Sequence, residues 1–133
     1  MTELLSPAGG REALVAAVQN GADAVYMGFG SFNARRSARN FSDEEFLAAV
    51  RYCHLRGVKV YLTLNTLVTD RELPALAAEA RTASECGVDA ILVQEWGVLA
   101  TLQKIIPDVP LHASTQMSLH TLSGVAEAAR LGM

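Results

Sequence analysis

Short runs of β-branched and apolar residues recur along the chain, each directly after a glycine that ends a helical pattern. Three stretches repeat this arrangement: NGADAVYMG at 20–28, RGVKVYLTLN at 56–65 and CGVDAILVQ at 86–94. A glycine closes a helix readily because it adopts the left-handed conformation, and the apolar run after it is typical of a buried strand. Each stretch therefore predicts the end of one helix and the start of the next strand.

Helical periodicity fills the segments between these strands. Apolar residues spaced as on one helix face occur twice, at Phe46, Ala49, Val50 and Cys53 and at Leu73, Leu76, Ala77 and Ala80. The pairs Ser42 with Glu45 and Thr69 with Glu72 each fit a capping box at a helix start. The pattern therefore predicts helices that begin directly after Ser42 and Thr69.

The start and the end of the chain add one strand each, which gives five strands that alternate with helices. They are predicted near residues 3–5, 22–27, 58–65, 88–93 and 110–114. Alternation of this kind predicts a parallel sheet with helical crossovers.

Side-chain alternation separates the two faces of these strands. In the third strand an apolar set faces one way and a mixed set the other: Val58, Val60, Leu62 and Leu64 against Lys59, Tyr61, Thr63 and Asn65. A doubly wound sheet is usually apolar on both faces, whereas a barrel turns its mixed face toward the axis. In the fifth strand the same alternation directs His112, Ser114 and Gln116 toward the axis. The sequence therefore predicts an α/β fold, an incomplete TIM-like (β/α) barrel of about five parallel strands.

The chain is short for a complete barrel. Eight β/α units take about 250 residues, and this chain has 133. We therefore expect residues 1–133 to be the N-terminal part of a barrel domain, with the remaining barrel and the downstream region absent. Because the fifth strand would leave backbone groups unpaired at an edge, we expect self-association or pairing with the missing C-terminal part of the same protein. A strictly monomeric chain at high concentration would contradict this expectation.

Composition and charge limit the compartment and the partners. Half of the residues are hydrophobic and the net charge is −3, which predicts a globular chain without a general electrostatic preference for nucleic acid. The longest apolar run, residues 13–18, is too short to span a membrane, and the acidic start does not resemble a secretory signal. We therefore expect a cytoplasmic protein that has no membrane partner. Cys53 and Cys86 have no CxxC partner, so we expect packed thiols and no metal site.

Six motifs, in order from residue 3 to the C-terminus, carry a family resemblance. They are ELLSPAG, NGADAVYMG, FNARRSARNF, HLRGVKVYLTLNTLV, GVDAILVQEWGV and IIPDVPLHASTQMSLH. Together they resemble the N-terminal barrel of the collagenase-like peptidase family U32. The resemblance implies a TIM-like barrel in a longer bacterial protein.

The resemblance implies two alternative functions. Members of the family are described as proteases, which makes the chain the N-terminal fragment of a collagenase-like hydrolase. Alternatively, several members are similar to proteins needed for oxygen-independent hydroxylation of transfer RNA, ribosomal RNA or ubiquinone, which makes it the substrate-binding part of a hydroxylation factor. In both cases the parent is an enzyme, its substrate a peptide or RNA, and this fragment alone is inactive.

The resemblance also implies where a cofactor would lie. The hydroxylation members carry an iron-sulfur cluster on cysteines of a signature downstream of this segment. Cys53 and Cys86 do not match that signature. The implied cofactor is therefore an iron-sulfur cluster in the full-length parent, and none in these residues.

The family's strand-end positions give the candidate substrate-binding residues. They are Ser6, Asn33, Arg35, Asn65, Thr66, Gln94, Glu95, His112, Ser114 and Gln116. No pattern in the sequence assigns a chemical step to any of them, so the catalytic residues are unassigned.

Several candidates have a structural interpretation beside the functional one. A lone inward histidine such as His112, without an acidic partner, is more often a hydrogen-bonded core group. Ser114 lies in no G-x-S-x-G elbow. Glu95 fits an acidic first-turn residue that complements the helix dipole. Three hydroxyl residues that follow Ser114 fit backbone caps at the start of the last helix: Thr115, Ser118 and Thr121.

The loop after the second strand is rich in arginine and phenylalanine. Arg35, Arg36 and Arg39, interleaved with Phe32 and Phe41, fit phosphate contacts and base stacking in a nucleic-acid substrate. Solvated arginines in a long loop are the simpler interpretation. Asn65 and Thr66 likewise fit either a polar ligand or turn hydrogen bonds, and Trp96 is most simply a packing residue.

Overall fold

The computed structural model describes residues 2–34 and 41–133 of the chain. Its strands are β1 (Leu5–Pro7), β2 (Ala24–Met27), β3 (Lys59–Leu64), β4 (Ala90–Val93) and β5 (Leu111–Ala113). Its helices are α1 (Arg11–Gln19), α2 (Asp43–His54), α3 (Leu73–Cys86), α4 (Trp96–Ile105) and α5 (Leu122–Arg130), with a 3₁₀ turn at Thr115–Met117. Among these helices none is long and apolar enough to cross a membrane.

The strands form one parallel sheet in the order β1-β2-β3-β4-β5. The larger core cluster joins helix residues such as Phe46 and Leu102 to strand residues such as Val60. The smaller cluster contains strand residues only. The helices therefore cover one face of the sheet and leave the other to the axis, as in a barrel wall. This confirms the predicted α/β fold with five parallel strands and alternating helices.

The alternation predicted for β3 is confirmed. Val60, Leu62 and Leu64 are fully buried in the helix-side core. Tyr61 lies on the opposite face, where it packs with Ala24 and with Ala90 on the neighbouring strands. The glycines that were predicted to close helices also have left-handed backbones, with φ of 88° at Gly21, 71° at Gly57 and 87° at Gly87.

The two predicted capping boxes have different outcomes. Ser42 caps α2 as predicted, because its hydroxyl accepts from the Glu45 N–H while the Glu45 carboxylate accepts from the Ser42 N–H at 2.9 Å. The Thr69 N–H also donates to the Glu72 carboxylate, at 2.8 Å. However, these residues form a turn, and α3 begins only at Leu73. The predicted start was wrong because a helix from residue 70 would place Pro74 in its interior, where the ring clashes with the preceding turn.

Two aspartates fasten the starts of the strands. The Asp23 carboxylate accepts from the Leu4 N–H at 2.7 Å, ahead of β1. The Asp89 carboxylate accepts from the Val60 N–H at 2.7 Å and contacts His54 Nε2 at 2.9 Å. Backbone amides at a strand start need such an acceptor when the neighbouring strand has not yet begun. The recurring GAD and GVD sequences therefore fix the sheet at the amino ends of its strands.

Replacing Asp89 by alanine should lower the free energy of unfolding by about 1–3 kcal/mol, because the partly buried Val60 amide loses its acceptor. Urea unfolding followed by circular dichroism measures the change. Asp108→Ala, in the exposed turn after α4, is the control and should change stability by less than about 0.5 kcal/mol. Equal effects of the two substitutions would contradict the fastening role of Asp89.

Candidate functional site

Polar residues gather where the strands end at their carboxyl edge. We define the mouth as the five residues that follow these strands: Asn33, Asn65, Thr66, Gln94 and Ser114. In barrels of parallel strands this edge carries the active site, because the loops that leave the strands converge there.

Asn65 connects two separate parts of the mouth. Its Oδ1 accepts from the Ala34 N–H at 3.0 Å, in the loop after β2. Its Nδ2 donates to Ser114 Oγ at 3.2 Å, at the end of β5. Ser114 is 5% exposed, and its Oγ also accepts from the Gln116 N–H at 3.2 Å. The Asn65 amide therefore joins the second and fifth strand ends across the third.

Asn33 is fully buried at the mouth. Its side chain packs against Gly28, where an added Cβ would stand 2.6 Å from Asn33 Cγ. A larger residue at position 28 would displace the Asn33 side chain. The last glycine of NGADAVYMG, Gly28, therefore leaves the space that Asn33 occupies. The family resemblance selected Asn33, but the sequence contained no signal for its burial.

Thr66 brings an unsatisfied hydroxyl to the mouth. Its Oγ1 is buried and has no hydrogen-bond partner within the described parts of the chain. Buried polar atoms are nearly always hydrogen-bonded, to protein, water or ligand. Gln94 is half-buried at the end of β4. Gln94 is therefore accessible to a polar ligand in this structure, whereas the Thr66 hydroxyl oxygen is covered.

Two other candidates serve as helix caps. Both Glu95 carboxylate oxygens accept from backbone N–H groups at the start of α4, from Gly97 and from Val98, each at 2.9 Å. Glu95 is thus the N-cap of α4 rather than a first-turn residue. The Thr121 hydroxyl accepts from the Gly124 N–H at 3.1 Å and caps α5, which confirms its structural interpretation.

His112 lies on the axis face in contact with a polar cluster that sequence reasoning missed. Its ring meets the Tyr61 ring edge-on, with centroids 5.1 Å apart. The Tyr61 hydroxyl donates to the Glu3 carboxylate at 2.7 Å, and Lys59 Nζ donates to it at 3.1 Å. These two hydrogen bonds hold the pKa of Glu3 below its usual value. His112 itself is exposed. Within the part of the chain that the structure describes, it therefore does not occupy the buried core position of its structural interpretation.

Two predicted positions lie elsewhere. Gln116 is in the 3₁₀ turn, and β5 has ended at Ala113, so strand alternation does not place it on the axis face. Ser6 pairs with Val25, whose side chain is in the helix-side core. Because paired residues of adjacent strands share a face, Ser6 points toward the helices and not into the mouth.

The aromatic part of the arginine-loop hypothesis is wrong. Phe32 and Phe41 are 9% and 7% exposed, so they belong to the core and cannot stack on a ligand. Arg35, Arg36 and Arg39 lie outside the described residues. Trp96 was interpreted as a packing residue, yet it is 46% exposed at the start of α4, beside the mouth. Tertiary packing decided these exposures, and the local sequence gave no sign of them.

The cysteines do not fit an iron-sulfur site. Cys53 is fully buried in the core, and burial raises the pKa of its thiol to about 11. Burial also raises the pKa of the Cys86 thiol. Cluster ligands are thiolates, and neither side chain faces the mouth, since both belong to the helix-side core. Among the described residues no group of three or more His, Cys, Asp or Glu could hold a metal ion.

Sequence comparison relates the chain to one family. A family model described as Peptidase family U32 matches residues 9–133. The chain is 42% identical to the 23S rRNA 5-hydroxycytidine C2501 synthase of Escherichia coli (strain K12), over 90% of this chain and 18% of that protein. It is 34% identical to tRNA hydroxylation protein P1 of Bacillus subtilis (strain 168), over 92% of this chain and 29% of the relative. It is also 34% identical to a collagenase of Porphyromonas gingivalis, over 88% of this chain and 28% of that protein. The chain thus spans less than a third of these relatives.

Comparison with solved structures confirms the architecture. A U32 peptidase matches with a TM-score of 0.74 at 19% identity, over 99% of this chain and 56% of the other. A protein described as a putative deoxyribose-phosphate aldolase, from Coccidioides immitis, matches with a TM-score of 0.61 at 12% identity, over 98% of this chain and 55% of the other. At these identities the likeness shows the TIM-barrel-like fold alone.

Asn65→Ala should lower the free energy of unfolding by about 1–3 kcal/mol, because Ala34 N–H and Ser114 Oγ both lose a partner. Ser114→Ala should then cost less in the Asn65→Ala background than in the wild type, since both changes remove one shared bond. Urea unfolding of the four proteins measures the coupling, with Gln94→Ala as a control at the neighbouring strand end. Additive effects of the two substitutions would contradict the connecting role of Asn65.

Proposed function

Because the chain belongs to peptidase family U32, we propose that it is the substrate-binding part of a longer protein that hydroxylates RNA. One observation carries the proposal, the 42% identity over 90% of the chain to a 23S rRNA 5-hydroxycytidine synthase. The family resemblance alone placed the collagenase-like peptidase first. The higher identity to an RNA-hydroxylating protein reverses that order.

The chemistry of the mouth supports an RNA ligand. An unpaired base presents hydrogen-bond donors and acceptors on its edge and an aromatic face for stacking. The half-buried Gln94 amide can meet the edge, and the exposed Trp96 ring can stack on the face. Arg35 and Arg39 supply positive charge for phosphates. The net charge of −3 means that affinity must come from these local groups rather than from a broad basic surface.

A collagenase-like peptidase is the second candidate, and the 34% identity to a collagenase favours it. In this chain Ser114 Oγ accepts hydrogen bonds from Asn65 Nδ2 and the Gln116 N–H. No histidine activates it among the described residues, so we place a peptidase nucleophile elsewhere in the longer protein. The full-length parent should then cleave denatured collagen or casein, and an inactive, correctly folded parent would remove this candidate.

We place the iron-sulfur ligands of the longer protein outside residues 1–133, and we propose that this chain alone is catalytically inactive. We also propose a cytoplasmic location, which an RNA substrate supports. Anaerobic treatment of the chain with iron and sulfide should leave it colourless and free of iron. A stable cluster on the chain would contradict the placement, because Cys53 and Cys86 would then be ligands.

We further propose that the open edges of the sheet are covered in the longer protein by the rest of the barrel. Leu4 and Leu5 are 57% and 42% exposed at the first edge, and Leu122 is 87% exposed on the last helix. When the chain is alone, a second copy should cover this apolar surface. Sedimentation at rising concentration should show mass above that of one chain, and a strictly monomeric profile would contradict this.

Replacing Arg35 and Arg39 together by alanine should weaken binding of a short cytidine-containing single-stranded RNA. The slope of log affinity against log salt should fall by about 1–2, because two phosphate contacts are lost. Trp96→Ala should weaken binding by about 1–3 kcal/mol with little change of slope, since stacking releases no counterions. Fluorescence anisotropy at several salt concentrations measures both effects.

The matched control removes the same charge away from the mouth, at Arg81 on α3 and Lys104 at the end of α4. This double variant should keep the wild-type affinity and slope. RNA affinity that is unchanged in both the arginine-loop and the Trp96 variants would eliminate RNA as the ligand of this segment.

A further inference from the structure

The segment that leads from β2 into the arginine loop is held from two sides. We call residues 29–34 the stem. On the mouth side, Asn65 Oδ1 accepts from the Ala34 N–H at 3.0 Å. On the helix side, the Glu79 carboxylate of α3 accepts from the Ser31 N–H at 3.2 Å. Between these two contacts lies the buried Asn33 of the mouth.

The contact between Glu79 and the stem is close. Gly30 has φ of 63°, and a Cβ added there would overlap the Glu79 carboxylate. Position 30 therefore requires glycine for both its backbone conformation and its proximity to α3. Gly30 and Glu79 are 49 positions apart in the sequence, so no local sequence pattern could predict that they are in contact.

A carboxylate is an unexpected group at this place on α3. The same helix buries Leu76, Ala77, Ala80 and Ala83 in its contact with the sheet. Glu79 Oε1 is buried and has no hydrogen-bond partner in the described part of the chain. Burial of a charged group with incomplete hydrogen bonding is costly. A buried polar atom without a partner is uncommon and calls for a structural explanation.

We propose that Glu79 is a positioning residue that holds the stem against α3 and thereby sets where Asn33 stands at the mouth. The inference goes beyond the proposed function, because it concerns the attachment of the stem and not the identity of the substrate. The neutral form of Glu79 favours attachment, since its burial beneath the stem costs least without charge.

The electrostatics give this attachment a pH dependence. Burial raises the pKa of Glu79 to about 7, and the nearby negative charge of Asp43, at the start of α2, also raises it. The backbone N–H groups of Ser31 and Phe32 act in the opposite direction but more weakly than burial. When the stem detaches, the carboxyl meets water and its pKa returns toward about 4.3. The protonated form therefore stabilises the attached stem, and this stabilisation is lost as pH rises through about 7.

The test is amide hydrogen exchange of Ser31 and Ala34 in the free chain, measured by NMR and corrected for intrinsic exchange rates. Protection in the wild type should fall about tenfold between about pH 6 and pH 8. Glu79→Gln keeps an acceptor oxygen without the charge, so the amides of Ser31 and Ala34 should stay protected across this range. Glu79→Ala loses the acceptor and should be poorly protected throughout.

The control is Glu85→Gln, which removes an exposed charge from the same helix and should keep the wild-type pH profile. A second variant checks the geometry: Gly30→Ala should loosen the stem in the wild type and loosen it less in the Glu79→Ala background. The proposal would be overturned if protection in the wild type did not change with pH. It would also be overturned if Glu79→Gln showed the same pH dependence as the wild type. Because no RNA is present, failure of the RNA assay leaves this result unaffected.

Discussion

Alternation of side chains along parallel strands divides this chain into two environments, and both the helix packing and the polar contacts of the axis face follow from that division. Helix-facing residues such as Val60 and Leu62 bury their apolar surface under α2 and α3. The intervening residues, Tyr61 among them, face the axis with polar partners. The helices cover one face only, and the axis face is itself packed at Ala24, Tyr61 and Ala90, which are 0%, 6% and 1% exposed. A register slip of one residue would exchange the two environments and expose the core.

The two ends of the strands use different chemistry. At the amino ends, the charged carboxylates of Asp23 and Asp89 accept backbone N–H bonds at 2.7 Å. At the carboxyl ends, Asn65 and Ser114 make neutral bonds at 3.0–3.2 Å. Charge-assisted hydrogen bonds are shorter and stronger than neutral ones. The two aspartate bonds at the amino ends are therefore stronger than the bonds that join Asn65 to Ala34 and Ser114.

Local periodicity was sufficient to predict the strands, their alternation and the glycines that end three helices. It failed where a feature depends on distant residues or on a single local breaker. Pro74 delayed the start of α3, and the early end of β5 removed Gln116 from the strand pattern. Phe32 was considered for base stacking and Trp96 for packing, yet Phe32 is 9% exposed and Trp96 is 46% exposed.

The site divided in the same way. The family resemblance selected Asn33, Asn65 and Ser114, and the structure brings these residues together. Glu79 and Glu3 were missed, because their partners Ser31 and Tyr61 lie 48 and 58 residues away in sequence. Long-range contacts of this kind follow from the packing of the barrel wall and leave no periodic signal in the sequence.

Photocrosslinking tests whether the carboxyl edge of this barrel wall binds RNA, as we propose. A short single-stranded RNA that contains 4-thiouridine beside cytidine would be irradiated with the chain, and mass spectrometry would locate the crosslinked peptides. RNA binding at this edge should give crosslinks at the strand ends and around Trp96, and these crosslinks should be lost in Trp96→Ala. Crosslinks confined to the outer faces of the helices, or spread evenly over the chain, would contradict it.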